Sequence, residues 1–182
     1  MYLAAVKDRL YCDKPDAPRR RLSQTALWHL TESLCRLLAP ILCHTADEAY
    51  RSLHKLPADD TARCIHLDVF PRPLPVNCDP AWAEFFKLRP DALGAIERSK
   101  AAPDAGGIGL DNPLDCGVVL PDPSGALARL DPTDLADLLG VSRVMLDRAA
   151  ASPRIVDLRA EPRCDRSWKR DGTVKKRSDG GM

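Results

Sequence analysis

The spacing of apolar residues predicts that the first half of the chain is helical. The first apolar stripe at helical spacing consists of Tyr2, Leu3, Val6 and Leu10. A longer helix is predicted over residues 19–39, where leucines recur at alternating steps of three and four positions. Thr45 and Glu48 have capping-box spacing and predict a short third helix that ends near His54. Three helices with short connections predict part of an antiparallel bundle.

The pattern changes at residues 64–70, CIHLDVF, where apolar and polar positions alternate. This alternation predicts an extended segment with one buried face, and the prolines of residues 71–76 keep the chain extended. Asp79 and Pro80 then have the residue types of an N-cap and a first helical position. The predicted inward face of the helix that follows consists of Trp82, Phe85, Phe86, Leu93 and Ile96. Pro90 lies inside this pattern and predicts a kink or a restart.

After these helices, the pattern is that of a small α+β unit. Strand alternation occurs in LDCGVVL, VSRVML and RIVDL. Pro132 opens a helix through TDLADLL, and Gly140 stands where a helix C-cap is expected. The predicted fold class is therefore α+β, mainly a helical bundle followed by a small α+β subdomain. The predicted parts are residues 1–100 for the helices, 101–160 for the α+β subdomain and 161–182 for a basic tail.

Composition is that of an ordinary globular protein, with 45% apolar and 29% charged residues over 182 positions. No apolar run approaches the length of a membrane span, so no membrane partner is expected. The seven cysteines are odd in number and never spaced C-x-x-C, and the pattern of a signal peptide is missing. These features predict reduced thiols and a cytoplasmic protein.

Charge is distributed unevenly along the chain. Residues 61–162 hold eleven basic and fifteen acidic side chains, whereas residues 163–182 hold seven basic and three acidic ones. A basic end favours a polyanionic partner. A solvated, partly disordered terminus explains the same charges equally well.

No catalytic or metal-binding constellation stands out in the sequence. The glycine-rich stretch GGIGLDN, residues 106–112, has asparagine in place of the third glycine and leads into a strand. It therefore does not match a phosphate-binding loop, which opens a helix. The close cysteine–histidine pairs at residues 43–44 and 64–66 lack the second pair that tetrahedral zinc requires. The chain is not expected to be an enzyme by itself.

Two clusters of basic residues are candidates for contact with nucleic acid. The first is Arg19, Arg20 and Arg21. They stand at a helix start, the end at which the helix dipole disfavours positive charge. Phosphate contact is one explanation for them, and a solvated helix face is the other. The second cluster surrounds Trp168 and consists of Arg163, Arg166, Lys169 and Arg170. An aromatic ring among cations can stack on single-stranded bases while the cations neutralise phosphates.

Several segments resemble one known family. The anticodon-binding region of bacterial isoleucyl-tRNA synthetases is similar to YLAAVKDRLYCD, APRRRLSQTALWHL and RLLAPILCHTADEAY. The segments that follow in that enzyme are similar to ALGAIERSKAAPDAGGIGLDNPLDCGVVL and DLADLLGVSRVML. The family's C-terminal C-x-R-C-W motif is similar to CDRSW within RCDRSW. The resemblance implies a helical bundle of the anticodon-binding type, and it implies isoleucine acceptor tRNA as the partner.

The chain also departs from this family. The HIGH and KMSKS motifs, which serve adenylate chemistry there, do not occur. The resemblance therefore implies a C-terminal piece of an ATP-dependent isoleucine–tRNA ligase without the catalytic and editing domains, in agreement with a first helix that lacks a start. Ser167 replaces the second cysteine of the C-x-R-C-W motif, and no cysteine follows Cys164. The family's zinc site is thus expected to be lost, with no metal ligand and no cofactor.

The predicted RNA-binding residues combine the basic clusters with the resemblance. They are Arg19, Arg20, Arg21, Arg166, Trp168, Lys169 and Arg170. Trp168 and Arg166 match the Trp and Arg of a motif that lies near the anticodon loop in the family, so they are predicted to meet the anticodon. The other residues are predicted to act through phosphate charge. The alternative function is a stand-alone helical protein-interaction module, whose exposed first-helix face docks a partner or a second copy.

Overall fold

Five α-helices and a three-stranded sheet form the described part of the chain, which in this computed structural model comprises residues 2–57, 59–73 and 75–175. The helices are α1 (Tyr2–Tyr11), α2 (Pro18–Leu38), α3 (Cys43–His54), α4 (Ala81–Ser99) and α5 (Pro132–Leu139). The strands are β1 (Cys116–Pro121), β2 (Arg143–Asp147) and β3 (Arg154–Asp157). The prediction of a mainly helical α+β fold is confirmed.

The chain divides into two compact units. The helical unit is Arg9–Asn77 and contains α2 and α3. The sheet unit combines Met1–Asp8 with Cys78–Met182 and contains α4, α5 and the three strands. The domain boundaries predicted at residues 100 and 160 remain predictions.

The helical unit is built on the packing of α2 against α3. Their shared core is small and consists of Cys35, Ala39, Ala46 and Ile65. Pro18 occupies the first turn of α2, where the N–H that proline lacks would have no partner within the helix. α3 ends at Lys55, whose φ of 54° lies in the left-handed region. The long second helix and the end of the third near His54 are confirmed.

The predicted start of α3 at the Thr45–Glu48 capping box is wrong. The helix begins earlier, at Cys43, and no side chain caps it. The reason lies in the connection, where the amides of Ile41 and Leu42 both donate to Leu38 O, at 2.9 and 2.8 Å. These bonds return the chain to helical geometry directly after α2, before a side-chain cap is reached.

The extended segment predicted at residues 64–70 is also wrong at its centre, because Ile65–Leu67 forms a single 3₁₀ turn. Ile65 is buried, whereas Leu67 and Val69 are exposed, so the alternation does not mark a buried face. The amide of Ile65 donates to Asp47 Oδ1 at 3.2 Å, which attaches this segment to α3 through one residue.

The sheet unit has the strand order β2-β1-β3, with β1 parallel to β2 and antiparallel to β3. Val118 pairs with Val144 on one side and with Ile155 on the other. The predicted helix between the first two strands is confirmed as α5. Asp131 caps it by accepting the amide hydrogen of Thr133 at 2.8 Å, and Gly140 ends it with a φ of 73°.

α4 packs against the core of the sheet unit and runs without interruption past Pro90, so of the kink or restart predicted there the restart is excluded, and the kink stays a prediction. Phe85 and Ile96, on either side of the proline, are both buried in the same core, and this packing keeps the two halves of the helix together. The helix begins one residue later than predicted, at Ala81, with Pro80 in the N-cap position, and Asp79 Oδ1 accepts the amide hydrogen of Ala81 at 2.9 Å. Phe86, predicted to face inward, is 43% exposed.

Candidate nucleic-acid interface

A tight loop of residues 164–169 presents Trp168 to solvent. The Trp168 amide donates to Cys164 O at 2.8 Å, and the Cys164 amide donates to Lys169 O at 2.9 Å, so the loop is closed on itself. Trp168 has a φ of 64°, in the left-handed region that a bulky residue avoids. Its side chain is 53% exposed. A strained backbone that holds a large aromatic ring outward is typical of a binding site. We call residues 164–169 the tryptophan loop.

Cationic groups accompany the exposed indole. The guanidinium carbon of Arg163 lies 5.4 Å from the centroid of the Trp168 ring, within the range of a cation–π contact. Arg166 is exposed within the same loop. The structure therefore places the Arg163 guanidinium against the Trp168 ring and leaves Arg166 exposed two residues before the indole, and this combination suits the stacking of an unpaired base beside its phosphates.

Lys169 and Arg170, predicted to contact phosphates, point into the sheet unit instead. The Lys169 ammonium pairs with the buried Asp137 carboxylate and lies 3.5 Å from Asp8 Oδ2. Arg170 Nε pairs with Asp115 Oδ1 at 2.7 Å. The two cationic side chains are only 12% and 14% exposed. Their charges are already engaged within the protein, whereas the Arg166 side chain is exposed.

The remaining polar residues of the tryptophan loop do not form a metal site in the described residues. Burial raises the pKa of the Cys164 thiol. Hydrogen bonds from the Ser167 hydroxyl and from the Ser167 and Arg166 amides lower this pKa by more than burial raises it, so the net pKa lies below its ordinary value. One thiol beside one hydroxyl does not fit tetrahedral zinc, which takes three or four thiolate, imidazole or carboxylate ligands. Over residues 2–57, 59–73 and 75–175, no group of three or more His, Cys, Asp or Glu side chains is arranged to hold a metal ion.

The three arginines at the start of α2, in the helical unit, differ in their surroundings. Arg20 Nη1 donates to Asp13 O at 2.8 Å and thereby braces the turn before the helix. Arg19 is half-buried. Arg21 is exposed, and its Nη1 donates to Gln24 Oε1 at 3.3 Å. Of the three, Arg21 has the side chain best placed for a ligand.

Sequence reasoning missed Trp28, which lies two turns beyond Arg21 on the same side of α2. The two residues line a shallow surface depression with Gln24 and Thr25. Trp28 is 39% exposed and packs edge-on against His54, with the ring centroids 5.8 Å apart. The signal was present in the spacing, because residues seven positions apart share one helix face. A second surface with an arginine and an aromatic ring therefore lies on the helical unit.

Apolar side chains are also exposed on the helices. On α1, Leu3 is 68% exposed, whereas Val6 is only 1% exposed, so part of the predicted stripe is covered and part is open. The groove between α2 and α3 is lined by Thr31, Leu34, Cys35, Leu38, Leu42, Thr45, Ala46 and Ala49. Among the described helices, none is long and apolar enough to cross a membrane.

Comparison with known proteins finds a family over most of the chain. The family described as the anticodon-binding domain of tRNA ligase matches residues 1–113. The isoleucine–tRNA ligase of Laribacter hongkongensis is 34% identical over 180 residues, which are 95% of this chain and 18% of that protein. The isoleucine–tRNA ligase of Chromobacterium violaceum is 33% identical over 92% of this chain and 18% of its own length. That of Xylella fastidiosa is 44% identical over 88 residues, 48% of this chain and 9% of its own length.

The chain thus spans about a fifth of the length of the Laribacter and Chromobacterium relatives. The matched family region covers α1 to α4 and ends just before β1. The longer matches extend over nearly the whole chain, whose sequence includes the tryptophan loop, and these relatives are isoleucine–tRNA ligases. None of these matches favours a stand-alone protein-interaction module. The resemblance predicted from the sequence is confirmed: the chain belongs to the anticodon-binding domain family of tRNA ligases.

Proposed function

We propose that this chain is the tRNA-binding portion of an isoleucine–tRNA ligase and supports recognition of the isoleucine acceptor tRNA during translation in the cytoplasm. The observation that carries the proposal is the match to isoleucine–tRNA ligases along 92–95% of the chain. The family match over residues 1–113 supports the anticodon-binding part of this proposal independently of any single relative.

The tryptophan loop supplies the chemistry for contact with an anticodon. Anticodon bases are single-stranded and unstacked, so the exposed Trp168 indole can stack on one of them. Such a contact contributes about 1–3 kcal/mol per base when measured by alanine substitution. Arg166 can donate two parallel hydrogen bonds to a base edge or to a phosphate. Arg21, and more weakly the half-buried Arg19 and Arg20, supply phosphate charge on the helical unit.

The proposal assigns no catalysis to this chain alone. The adenylate motifs HIGH and KMSKS are missing from its sequence, so activation of isoleucine with ATP belongs to other parts of the parent enzyme. It also assigns no zinc, because Ser167 is a poor ligand beside Cys164. Purified chain should show no isoleucine-dependent pyrophosphate exchange and should contain no stoichiometric zinc in elemental analysis. One tightly bound zinc per chain would contradict the second statement.

Self-association through the first helix is part of the proposal. The exposed Leu3 provides the apolar surface, and Leu3→Lys should reduce association at high protein concentration without loss of stability. Sedimentation velocity of both proteins tests this, and a strictly monomeric unmodified chain would contradict it.

Two RNAs test the main proposal directly. The first is the anticodon stem-loop of the isoleucine acceptor tRNA, and the second has the same stem with the three anticodon bases replaced. Fluorescence anisotropy should show tighter binding of the first by the 182-residue chain. Replacing three base pairs in the stem is the matched control and should change the affinity little, since phosphate contacts are independent of sequence. Equal affinity for both anticodons would refute the proposed recognition.

A further inference from the structure

We propose that Lys169 and Arg170 are positioning residues that hold the tryptophan loop in its RNA-facing conformation through ion pairs within the sheet unit, instead of contacting phosphates. This inference rests on the proposed function, because it assigns to two cations a role in the same RNA site. It departs from the expectation that every cation near an exposed tryptophan neutralises the backbone of the nucleic acid.

The first observation is the surroundings of the Lys169 ammonium. It pairs with Asp137, whose side chain is 1% exposed, and lies 3.5 Å from Asp8 Oδ2. Asp137 belongs to α5 and Asp8 to α1, so one cation connects the end of the loop to two helices. Withdrawal of Lys169 would leave a buried carboxylate without this partner, which is costly. A phosphate contact made by Lys169 would require that withdrawal.

The second observation is the set of contacts around Arg170, the next residue. Arg170 Nε pairs with Asp115 Oδ1, its Nη1 donates to Glu161 O, and its amide donates to Ser142 Oγ at 2.7 Å. Each of these groups lies outside the tryptophan loop. The chain is therefore fixed at the point where it leaves the loop.

The third observation is that Arg143, the first residue of β2, holds both ends of the segment. Its Nη2 pairs with the Glu161 carboxylate and donates to Arg170 O at 3.1 Å. A single guanidinium on the sheet therefore ties together the residues that precede and follow the tryptophan loop. Since Trp168 itself has left-handed backbone geometry, the loop needs such external restraint to keep the indole outward.

These contacts take the place that a metal would have in a zinc-stabilised loop. Cys164 and Ser167 do not form a tetrahedral donor set, yet the loop is closed and anchored. The anchors are two cations that belong to the loop's end, Lys169 and Arg170, and one that belongs to the sheet, Arg143. The aspartates that bind Lys169 and Arg170 come from α1, from α5 and from the residue before β1, and Arg143 pairs with Glu161.

Hydrogen exchange of the free 182-residue chain tests the inference without RNA. In Lys169→Met and in Asp137→Asn, the amides of Cys164 and Trp168 should exchange at least about tenfold faster, because their hydrogen bonds close the loop. Lys169→Arg, which keeps the charge, should preserve most of the protection. Lys175→Met removes an exposed lysine outside the loop and is the matched control. The β1 amides should be unaffected in all variants.

Three results would overturn the inference. The first is wild-type protection of both loop amides in Lys169→Met and Asp137→Asn. The second is an equal loss of protection in β1, since the pair would then support the whole sheet unit. The third is loss of loop protection on addition of a chelator to the unmodified chain, which would assign the restraint to a metal ion.

RNA binding supplies a second test, because the two explanations predict opposite changes in the RNA affinity of Asp137→Asn. Removing the negative charge of Asp137 should strengthen binding to a polyanion if charge alone matters, and it would release Lys169 for a phosphate. The positioning role predicts the opposite for Asp137→Asn, a loss of at least about fivefold in affinity for the anticodon stem-loop. For Lys169→Met, the negative slope of log affinity against log salt should remain unchanged, whereas loss of a phosphate contact reduces its magnitude by about 0.7–0.9.

Tighter RNA binding by Asp137→Asn would overturn the positioning role. A salt dependence of smaller magnitude for Lys169→Met would overturn it as well. Failure of the unmodified chain to bind the stem-loop would refute the proposed function instead, and the hydrogen-exchange experiment would still decide the role of Lys169.

Discussion

Asp47 Oδ2 lies 2.6 Å from Arg51 Nε, one turn further along α3. The other oxygen of the same carboxylate accepts the amide hydrogen of Ile65 at 3.2 Å. One side chain thus joins α3 to residues 64–70 and accepts a backbone hydrogen bond from Ile65, the one buried residue among those seven. The hydrogen bond from Arg51 is the main cause that holds the pKa of Asp47 below its usual value of 3.8.

This arrangement makes the stability of the helical unit depend on pH. Because the pKa of Asp47 is lowered in the folded protein, its contribution is present above the usual value near 3.8 and is lost as the pH falls through the lower, folded value. We expect Asp47→Asn to reduce the free energy of unfolding by about 1–2 kcal/mol at pH 7. The difference from the unmodified chain should shrink below about pH 4. Urea unfolding at several pH values measures this. Glu48→Gln, an exposed carboxylate on the same helix, is the control.

The neighbouring phenylalanines of α4 should differ sharply in their contribution to stability. Phe85 is 0% exposed in the core of the sheet unit, whereas Phe86 is 43% exposed. Phe85→Ala should therefore cost about 3–5 kcal/mol, the usual range for a buried phenylalanine. Phe86→Ala should cost clearly less, because part of that ring is already in water. Denaturant unfolding of the two variants compares them, and equal losses would show that the packing of α4 is described wrongly.

Two glycine-to-alanine substitutions should change stability in opposite directions. Gly140 has a φ of 73°, and the space around it is open, so only backbone strain opposes a side chain there. Gly140→Ala should destabilise the sheet unit by about 1–2 kcal/mol. Gly94 lies within α4, and an added Cβ would meet the end of the flexible Arg98 side chain at 3.3 Å. Gly94→Ala should be neutral or stabilising by up to about 1 kcal/mol. Thermal unfolding checks both signs.

The elements that the sequence predicted best are those with local signals at both ends. α5 is an example, since Asp131, Pro132 and Gly140 mark its start and end within ten positions. The prediction of an extended conformation at residues 64–70 was wrong because alternating polarity is a weak signal without a neighbouring strand. Of these residues, Ile65 alone is buried. The predicted start of α3 at Thr45 was wrong because the amides of Ile41 and Leu42 donate to Leu38 O, and these bonds start the helix before Thr45 is reached.

The candidate site could be predicted only in part, because the partners of its charges are distant in sequence. Trp168 and Arg166 are both exposed, as contact with RNA requires, and that contact stays a prediction. Nothing local distinguishes them from Lys169, whose partner Asp137 lies 32 positions away. Counting basic residues therefore overestimates the number available to a ligand. Trp28 was missed because Arg21, the arginine on its helix face, was grouped only with its sequence neighbours Arg19 and Arg20.

The most direct test of the account is the affinity of Trp168 variants for the anticodon stem-loop of the isoleucine acceptor tRNA. Trp168→Ala should weaken binding by about 1–3 kcal/mol, while Trp168→Phe, which keeps an aromatic ring, should retain most of the affinity. Phe70→Ala removes another exposed aromatic ring and should leave the affinity unchanged. Unchanged affinity of Trp168→Ala, with unchanged discrimination between anticodons, would contradict the claim that the tryptophan loop contacts the anticodon.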